Sequence, residues 1–599
     1  MTVTKNDNWQ VLCFYICALL FYPLVWMRLF TGRLIYWSEL NLFTPSLIAI
    51  LCCSLLLLDP KSIILFFSSS KAKLIAIALG FILLVSLIQL EICYDGQINY
   101  LWSSIYWIAI PLFCAVNRHK VEKYLPFFMI LLGLATVIQS LQELNAGSRI
   151  LGIPGNRNWN AGLICVTIPF ICLVIYKYFD KAYKVSITII YFLILVVAVL
   201  LFKCESKTAV LSLIISALSI LVLRYWKKIP WTYWLRAGLV ILVLSAVVFS
   251  VFKEHLFEFL KYDQRLSLWT AALELIKQNM WFGCGPEIFE SAYAPHISAN
   301  YYFGKFTSNL HPHAHNHFLH FAATMGIPAL IAWCSVIFYV IAKNLRQAVG
   351  EGNWTLKLYL FVFIFLFISS MLDIVVWVWP LGCIFLTVLG ILLARALDGE
   401  AIKIPKQAKL IPLLCCIAGI CLMILLINYL YFNLLSTMHY RNAKIMVGDK
   451  DAKSASVEIE KSIEYKMTPQ NTMLAARISL YDFKNPQACL KYLAILDSLQ
   501  FENYEHNNLL KAKALFVIGK TQESLLYFAK EQQNFPLSCV NLHYYRIALR
   551  KLGKKQQAEA IEQHLRNVLK MKGFNEKMLP ELLNNPNMDL RFRYFQSAK

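Results

Sequence analysis

Residues 360–368 read LFVFIFLFI, nine apolar side chains in a row without charge, glycine or proline. This run lies in the apolar block 355–372. The length of the block approaches the roughly 20 residues that an α-helix needs to cross the hydrocarbon core of a bilayer. We therefore predict a membrane-spanning helix at this block.

Similar apolar blocks recur through most of the chain. Hydrophobic residues make up 58% of the 599 positions and charged residues only 15%, against roughly 25% charged residues in soluble domains. We predict an all-α fold, with a polytopic transmembrane helical bundle of about 12–13 spans in residues 1–433. The first block is expected to be a retained span, because no small-residue cleavage site follows it. The predicted spans lie near 10–27, 42–58, 73–90, 101–117, 124–142, 160–178, 185–202, 208–223, 236–252, 316–342, 355–372, 375–394 and 409–432.

The positive charge of the chain is concentrated in alternate loops. The formal net charge is +22, but lysine and arginine cluster in every second short loop, as they do at 118–123, 177–184 and 224–228. This distribution is typical of the cytoplasmic loops of membrane proteins, so we expect no nucleic-acid partner. Counting spans from a cytoplasmic amino terminus places the large loop 253–315 and the carboxy-terminal tail on the extracytoplasmic side.

Cysteines are numerous, and most lie inside apolar blocks. The chain has 17 of them and no C-x-x-C pair. A buried cysteine behaves as a small hydrophobic residue. We interpret them as packing residues rather than as a metal site or a disulfide framework.

The tail, 434–599, is predicted to be a soluble domain of helical repeats. The segment 514–520 (ALFVIGK) recurs 34 residues later at 548–554 (ALRKLGK), and a weaker copy at 480–485 has Asn485 in place of the turn glycine. A period of 34 residues resembles tetratricopeptide repeats. Such repeats form curved surfaces that hold peptides or partner proteins. The tail is therefore predicted either to bind a protein partner or to act as a stabilising lid on the membrane part.

Five histidines cluster where the loop 253–315 meets the next apolar block, at His311, His313, His315, His317 and His320. Ionisable groups are costly in hydrocarbon, and histidine titrates near neutral pH, so the cluster is a candidate catalytic site. His313, His317 and His320 could instead bind zinc, but no carboxylate or cysteine lies close to them in the sequence. We expect no metal and no cofactor, and we expect His311 and His313 to be solvated.

The large loop contains two motifs, one that precedes the histidine cluster in the sequence and one that lies within it. Arg265-Leu-Ser-Leu-Trp269 is followed by Trp281-Phe-Gly-Cys-Gly-Pro286, an arginine–tryptophan segment and then a glycine-rich turn. His315-Asn316 is followed after nine residues by Gly326.

Two further motifs precede the loop. Gly152 to Ala161 is rich in glycine and asparagine, and Glu205-Ser-Lys-Thr208 follows it. In this order and spacing, the four motifs resemble those of the O-antigen ligase and polymerase family over roughly 150–400. Two positions depart from the family pattern: Lys207 stands where an arginine is frequent, and the other is Ala329, which follows Gly326 after two intervening residues.

The resemblance implies a glycosyltransferase of the bacterial inner membrane that moves a glycan from a polyprenyl-diphosphate carrier to an acceptor hydroxyl on the extracytoplasmic face. A diphosphate is a good leaving group, so such a reaction needs mainly a base for the hydroxyl and cations for the departing charge. His315 is the candidate base and Arg265 the candidate diphosphate clamp. The other candidate substrate-binding residues are Arg149, Arg157, Asn158, Asn160, Lys207 and Asn316.

Several alternatives remain open at this point. The acceptor could be a lipid A-core sugar, a protein hydroxyl or another glycan chain, which correspond to a ligase, a protein O-oligosaccharyltransferase and a polymerase. A polysaccharide transporter or flippase is a different class, but it usually carries ionisable groups within its spans. A scaffold built on the repeats is a third class. His315 could also serve only as a packed residue at the start of a helix, and Arg265 could reach for lipid headgroups.

Overall fold

The computed structural model describes residues 9–20, 48–58, 70–92, 101–178, 195–196, 198–230, 232–233, 264–297, 311–349, 352–397, 410–499 and 501–571. Within these ranges the regular structure is helical throughout, which confirms the predicted all-α fold. The α-helices that bear on the site and its surroundings are α1 Trp9–Leu20, α2 Ile48–Leu57, α3 Ser70–Ile92, α4 Leu101–Val116, α5 Arg118–Asn145, α6 Arg157–Tyr178, α7 Lys207–Tyr225, α8 Gln264–Gln278, α9 Phe289–Tyr293, α10 His317–Met325, α11 Ile327–Ala348, α12 Trp354–Leu372, α13 Leu381–Leu397 and α14 Leu410–Gly448.

Five of the described helices are long and apolar enough to cross a membrane, namely α3, α5, α7, α11 and α12. The chain is therefore a multi-pass membrane protein, as the apolar blocks predict. Helix α13 lies at the centre of the bundle, since its residues 381–394 are all buried. A helix that is apolar all round and buried on every side belongs in a core. The predicted span 236–252 and most of 185–202 lie outside the described residues.

The predicted single span 316–342 is wrong, because two helices occupy it. Helix α10 ends at Met325, and α11 begins at Ile327 after Gly326, whose φ is +84°. A residue with a side chain rarely adopts this conformation, so glycine allows the sharp break. The helix in the predicted span 375–394 begins later than predicted, at Leu381. A 3-10 turn, Val375–Trp377, precedes it.

The glycine-rich turn 281–286 holds the end of α10 in place. Backbone N–H groups of Cys284 and Gly285 donate to the carbonyls of Ala323 and Thr324 over 2.9 and 3.0 Å. These are carbonyls that the last turn of a helix leaves unpaired. From α3, the buried Gln89 side chain donates to Thr324 O over 2.6 Å, which ties the same point to the membrane bundle.

The carboxy-terminal helical domain consists of α15 Ala452–Tyr465, α16 Pro469–Tyr481, α17 Pro486–Ser498, α18 Asn507–Val517, α19 Thr521–Asn534, α20 Cys539–Lys551 and α21 Lys555–Met571. Helices α16 to α21 pack as three consecutive pairs. The recurring segments are the turns within these pairs, where Gly519 and Gly553 have φ of +88° and +72°. In the third copy the left-handed residue is Lys484, not Asn485. Asn485 instead caps α17, its side chain accepting from Ala488 N.

Helix α14 crosses the predicted boundary at 433/434 without a break. It runs for 39 residues, from Leu410 to Gly448, so the last predicted span and the first helix of the tail are one element. Ser436 of α14 donates to the carbonyl of Ser462 in α15 over 2.9 Å. The tail is therefore joined to the membrane part by continuous helix rather than by a linker.

We expect Gly326→Ala to destabilise the protein strongly. A Cβ at Gly326 would overlap the carbonyl of Trp281, and the positive φ adds backbone strain of about 1–3 kcal/mol. Gly147→Ala is the matched control, because Gly147 has φ of +64° and nothing within 4 Å of an added Cβ. Thermal unfolding of the purified protein in detergent should show a clearly lower Tm for Gly326→Ala than for Gly147→Ala. Equal Tm values would contradict this account of the α10–α11 break.

Candidate active site

The histidine segment ends at the start of α10, where two neighbouring residues fix the chain. His315 has φ of +51°, a left-handed conformation that is uncommon for a residue with a side chain. Asn316 is the N-cap of α10, with its side-chain oxygen accepting from Leu319 N over 3.1 Å. Its Nδ2 donates to Met371 O at the end of α12 over 2.9 Å. Asn316, a predicted substrate-binding residue, therefore joins α10 to α12.

His315 forms a hydrogen-bonded pair with Asp373, the residue that follows α12. His315 Nδ1 lies 2.9 Å from Asp373 Oδ1, and the Asp373 side chain is only 2% exposed. The same carboxylate accepts from Ile374 N over 2.7 Å, and Asn158 Nδ2 lies 3.4 Å from its other oxygen. The first turn of α6, the end of α12 and the histidine loop therefore meet at one carboxylate.

Asp373 is ionised in this setting. Burial by itself raises the pKa of the Asp373 carboxyl, but the hydrogen bond and charge of His315, the N–H of Ile374 and the charge of Arg265 outweigh it, and the pKa is lowered overall. An ionised carboxylate only accepts hydrogen bonds, so His315 Nδ1 carries the proton that is shared with it. In the neutral form of His315 the lone pair is then on Nε2, the nitrogen that a base uses.

Asp373 was missed at the level of sequence, although a signal for it exists. Within 352–397 it is the one acidic residue, and it stands alone between two strongly apolar blocks. An isolated ionisable group in this position is a functional candidate by its cost alone. Its partner, however, lies 58 residues away in the chain.

The other histidines divide into two groups. The rings of His311 and His313 lie 4.9 and 4.5 Å from that of His315. Burial lowers the pKa of His313 well below its usual value, and the neighbouring histidines lower it further. His313 is thus half-buried, with its Nδ1 enclosed and the neutral form of its ring favoured, whereas the sequence predicts a solvated residue.

His317 and His320 are packing residues on α10. Burial lowers the pKa of both to about 3. The indole N–H groups of Trp333 and Trp377 approach the two ring nitrogens of His317 at 3.2 and 2.9 Å. A neutral imidazole has one acceptor nitrogen, so only one indole can donate to it. Asp373 brings a carboxylate to His315 from a distant part of the sequence, but no three potential metal ligands come together within the described ranges.

Arg265 lies in the first turn of α8 and acts on Asp373 through its charge.

Arg149 and Arg157 line a second feature, a cavity of about 240 Å³ next to the start of α6, together with Lys203 and Glu205. Arg157 Nη1 lies 2.8 Å from Glu205 Oε2. The sequence did not single out Lys203. Because Arg157 is followed directly by Asn158, this cationic cavity is a neighbour of the His315–Asp373 pair.

Two predicted substrate-binding residues lie elsewhere. Lys207 is exposed at the first position of α7, outside the lining of the cavity. Asn160 is fully buried, and its Nδ2 donates to Ser140 Oγ over 2.9 Å, which links α6 to α5. Gly152 packs directly on the Asn160 side chain, since a Cβ there would overlap it. The structure therefore brings together Arg265, His315, Asn316 and Asn158, and it places Asn160 inside the helix packing.

Comparison with known protein families assigns residues 190–334 to the O-antigen ligase family. These residues include α7, the Arg265 helix and the histidine cluster. No curated protein matches the chain. The chain carries an O-antigen ligase domain, which confirms the resemblance seen in the motifs. The five membrane-capable helices agree with this resemblance.

We expect Asp373→Ala to lower the stability of the folded protein by about 1–3 kcal/mol, because it leaves Ile374 N and His315 Nδ1 without their buried acceptor. Asp373 has a lowered pKa, so its contribution is present above pH 3.8, its ordinary value, and is lost as the pH falls through the lowered one. Thermal unfolding of wild type and variant from pH 3 to pH 7 measures this. A Tm difference that persists unchanged at the lowest pH would contradict the assignment of an ionised Asp373.

Proposed function

We propose that this protein transfers a glycan from a polyprenyl-diphosphate carrier to an acceptor hydroxyl, with His315 as the base. The observation that supports the proposal best is the His315–Asp373 pair, with Nδ1 and Oδ1 2.9 Å apart and Arg265 close enough to lower the pKa of Asp373. A histidine held by a buried carboxylate is oriented and keeps one tautomer, which is what a general base requires.

The proposed reaction is a single displacement. Nε2 of His315 takes the proton of the acceptor hydroxyl while the acceptor oxygen bonds to the anomeric carbon of the glycan. The bond between this carbon and the diphosphate oxygen breaks, and its electron pair leaves with the polyprenyl diphosphate. Arg265 binds the oxygens of the diphosphate, since a guanidinium offers paired donors and stays charged. No metal or other cofactor enters these steps.

The remaining predicted residues have separate proposed roles. Asn158 orients Asp373, and Asp373 is a positioning residue because it acts through His315. Asn316 fixes the start of α10. Arg149, Arg157 and Lys207 are proposed to bind the anionic part of the donor, while Asn160 is reassigned from substrate binding to the packing of α6.

The position of these groups favours transfer chemistry over transport. His315, Asp373 and Arg265 all lie outside the five membrane-capable helices. A translocation path usually requires ionisable groups within the spans. We therefore prefer a transferase to a flippase. The acceptor remains one of three: a lipid A-core sugar, a protein hydroxyl or a growing glycan chain.

The test is glycan transfer from a purified lipid-linked donor to each of the three acceptors. His315→Ala is expected to lower kcat by about 10²–10⁴, the usual contribution of a general base. Arg265→Lys should retain more transfer than Arg265→Ala, because lysine keeps the charge but loses the paired donors. The control is His119→Ala, a histidine in the first turn of α5 far from the cluster in sequence. Full transfer by both His315→Ala and Arg265→Ala would refute the proposal.

Variants of Asp373 should show whether this residue orients His315 or binds the donor. Asp373→Asn keeps the shape but removes the charge, so we expect a lower kcat with little change in the KM for the donor, and partial recovery in Asp373→Glu. An equal rise in the donor KM would instead assign Asp373 to substrate binding.

Adding a chelator should leave transfer unchanged, and a loss of transfer would indicate that the histidines bind a metal. The acceptor that becomes labelled identifies the activity as ligase, protein transferase or polymerase.

A further inference from the structure

The loop segment that carries Arg265 shares its apolar core with the carboxy-terminal helical domain. One continuous cluster of buried side chains draws on three parts of the chain. From the loop it includes Leu268 and Leu275 of α8 and Phe289 and Tyr293 of α9, and from α10 it includes Ala322 and Ala323. The carboxy-terminal helical domain supplies Phe535, Leu537, Cys539, Leu542, Leu565, Val568 and Leu569.

A second contact inserts a loop residue among the helical repeats. Ile288, at the end of the 3-10 turn Pro286–Ile288, is 5% exposed. It belongs to a cluster whose other buried members all come from the repeats: Met473, Ala476, Leu480, Cys489, Leu493, Leu496, Phe501, Tyr504, Leu510 and Ala514. Close to it, the backbone N–H of Asn503 donates to Ser291 Oγ over 3.1 Å. An isoleucine and a serine three residues apart are thus both engaged by the repeats.

We propose that the carboxy-terminal helical domain is a receptor for this chain's own loop segment 286–297, and that this docking holds the Arg265 helix in its working position. The docking itself rests on the contacts above. Its effect on transfer rests on the role that we propose for Arg265.

Helix α8 depends on outside contacts for its order. It has 15 residues, and an isolated helix of about 12–15 residues is only marginally stable in water. Its buried side chains, Leu268, Ala271, Ala272, Leu275 and Ile276, belong to the apolar cluster shared with the carboxy-terminal helical domain. Helix α8 packs on α10, on α9 and on the 3-10 turn Ala294–His296, and this turn also packs on α19 of the domain. Without the domain, the cluster and the 3-10 turn that support α8 lose part of their packing, and Arg265 in the first turn of α8 loses a fixed position.

The docked loop also explains why a helical-repeat domain belongs to a membrane enzyme of this kind. Repeat surfaces commonly hold a segment of another protein. Here the segment is supplied by the same chain, and it fills apolar positions of the first two repeat pairs. The two sides of the contact also lie on the same side of the membrane, since Ser291 and Asn503 touch directly.

The test disrupts the docking and then restores it. Ile288→Asp places a charge in the apolar cluster and is expected to lower kcat/KM for the donor about 10- to 100-fold, the range for misplacing a catalytic group by roughly 1 Å. Leu526→Asp is the control, a leucine of α19 that is 57% exposed on the same domain, and it should stay within about twofold of wild type. The conservative Ile288→Val should retain most of the activity.

A cysteine pair provides the restoration. Ser291→Cys with Asn503→Cys should form a disulfide under mild oxidation, detected by mass spectrometry of the linked peptides. In the Ile288→Asp background the cross-link should return transfer towards the wild-type value, and reduction should remove it again. Transfer that is abolished by the cross-link in an otherwise wild-type chain would overturn the proposal, as would full transfer by Ile288→Asp.

Failure of the docking and failure of the proposed function can be told apart. If the cysteines link in good yield and the loop is protected from protease in wild type and in His315→Ala, docking holds whatever the activity. Absence of transfer to all three acceptors would then refute only the proposed function. If the cysteines do not link and the loop is cleaved equally in wild type and Ile288→Asp, the docking is refuted while His315 chemistry still stands.

Discussion

The hydrogen bond between His315 and Asp373 joins two segments that are 58 residues apart in the chain. Much of the surrounding geometry serves this one contact. The left-handed backbone at His315 turns its ring towards the carboxylate, Asn316 ties the start of α10 to the end of α12, and Asn158 reaches the same carboxylate from α6. A buried charge is stable only when it is paired and hydrogen-bonded. The constraint therefore acts on three helices at once.

Much of the fold could be predicted from the sequence because membrane spans obey a local rule. The hydrocarbon core fixes the length of an apolar helix, so hydropathy alone indicates α3, α5, α7, α11 and α12. Hydropathy does not predict where a helix ends when the backbone conformation of a single residue determines the break. Gly326 breaks one apolar block into two helices, and Lys484 rather than Asn485 makes the turn in the third repeat copy. At Gly326 the apolar pattern continues across the break, so hydropathy does not reveal it, and at 484–485 the composition indicates a turn but not which residue adopts the left-handed backbone.

The candidate site could be predicted only in part, for a similar reason. His315 and Arg265 stand in short motifs, and motifs are visible in a single sequence. Asp373 has no motif neighbours, and its role follows from tertiary contacts alone. Asn160 shows the opposite error, since an asparagine in a glycine-rich segment suits a sugar ligand, yet its amide is used to hold α6 against Ser140. Residue type indicates which chemistry is available, and packing decides which side chains can reach a substrate.

The unbroken helix α14 has a mechanical consequence. Its 39 residues form a rod of about 58 Å at 1.5 Å per residue, about twice the thickness of the hydrocarbon core. Such a rod sets both the distance and the rotation of the carboxy-terminal helical domain relative to the membrane part. Each added residue moves the domain by about 1.5 Å along the helix axis and turns it by about 100°. Natural insertions in this helix would therefore be tolerated only in lengths that restore the phase, near multiples of whole turns. The number of residues in α14 therefore sets both the distance of the carboxy-terminal helical domain from the bilayer and its rotation about the helix axis.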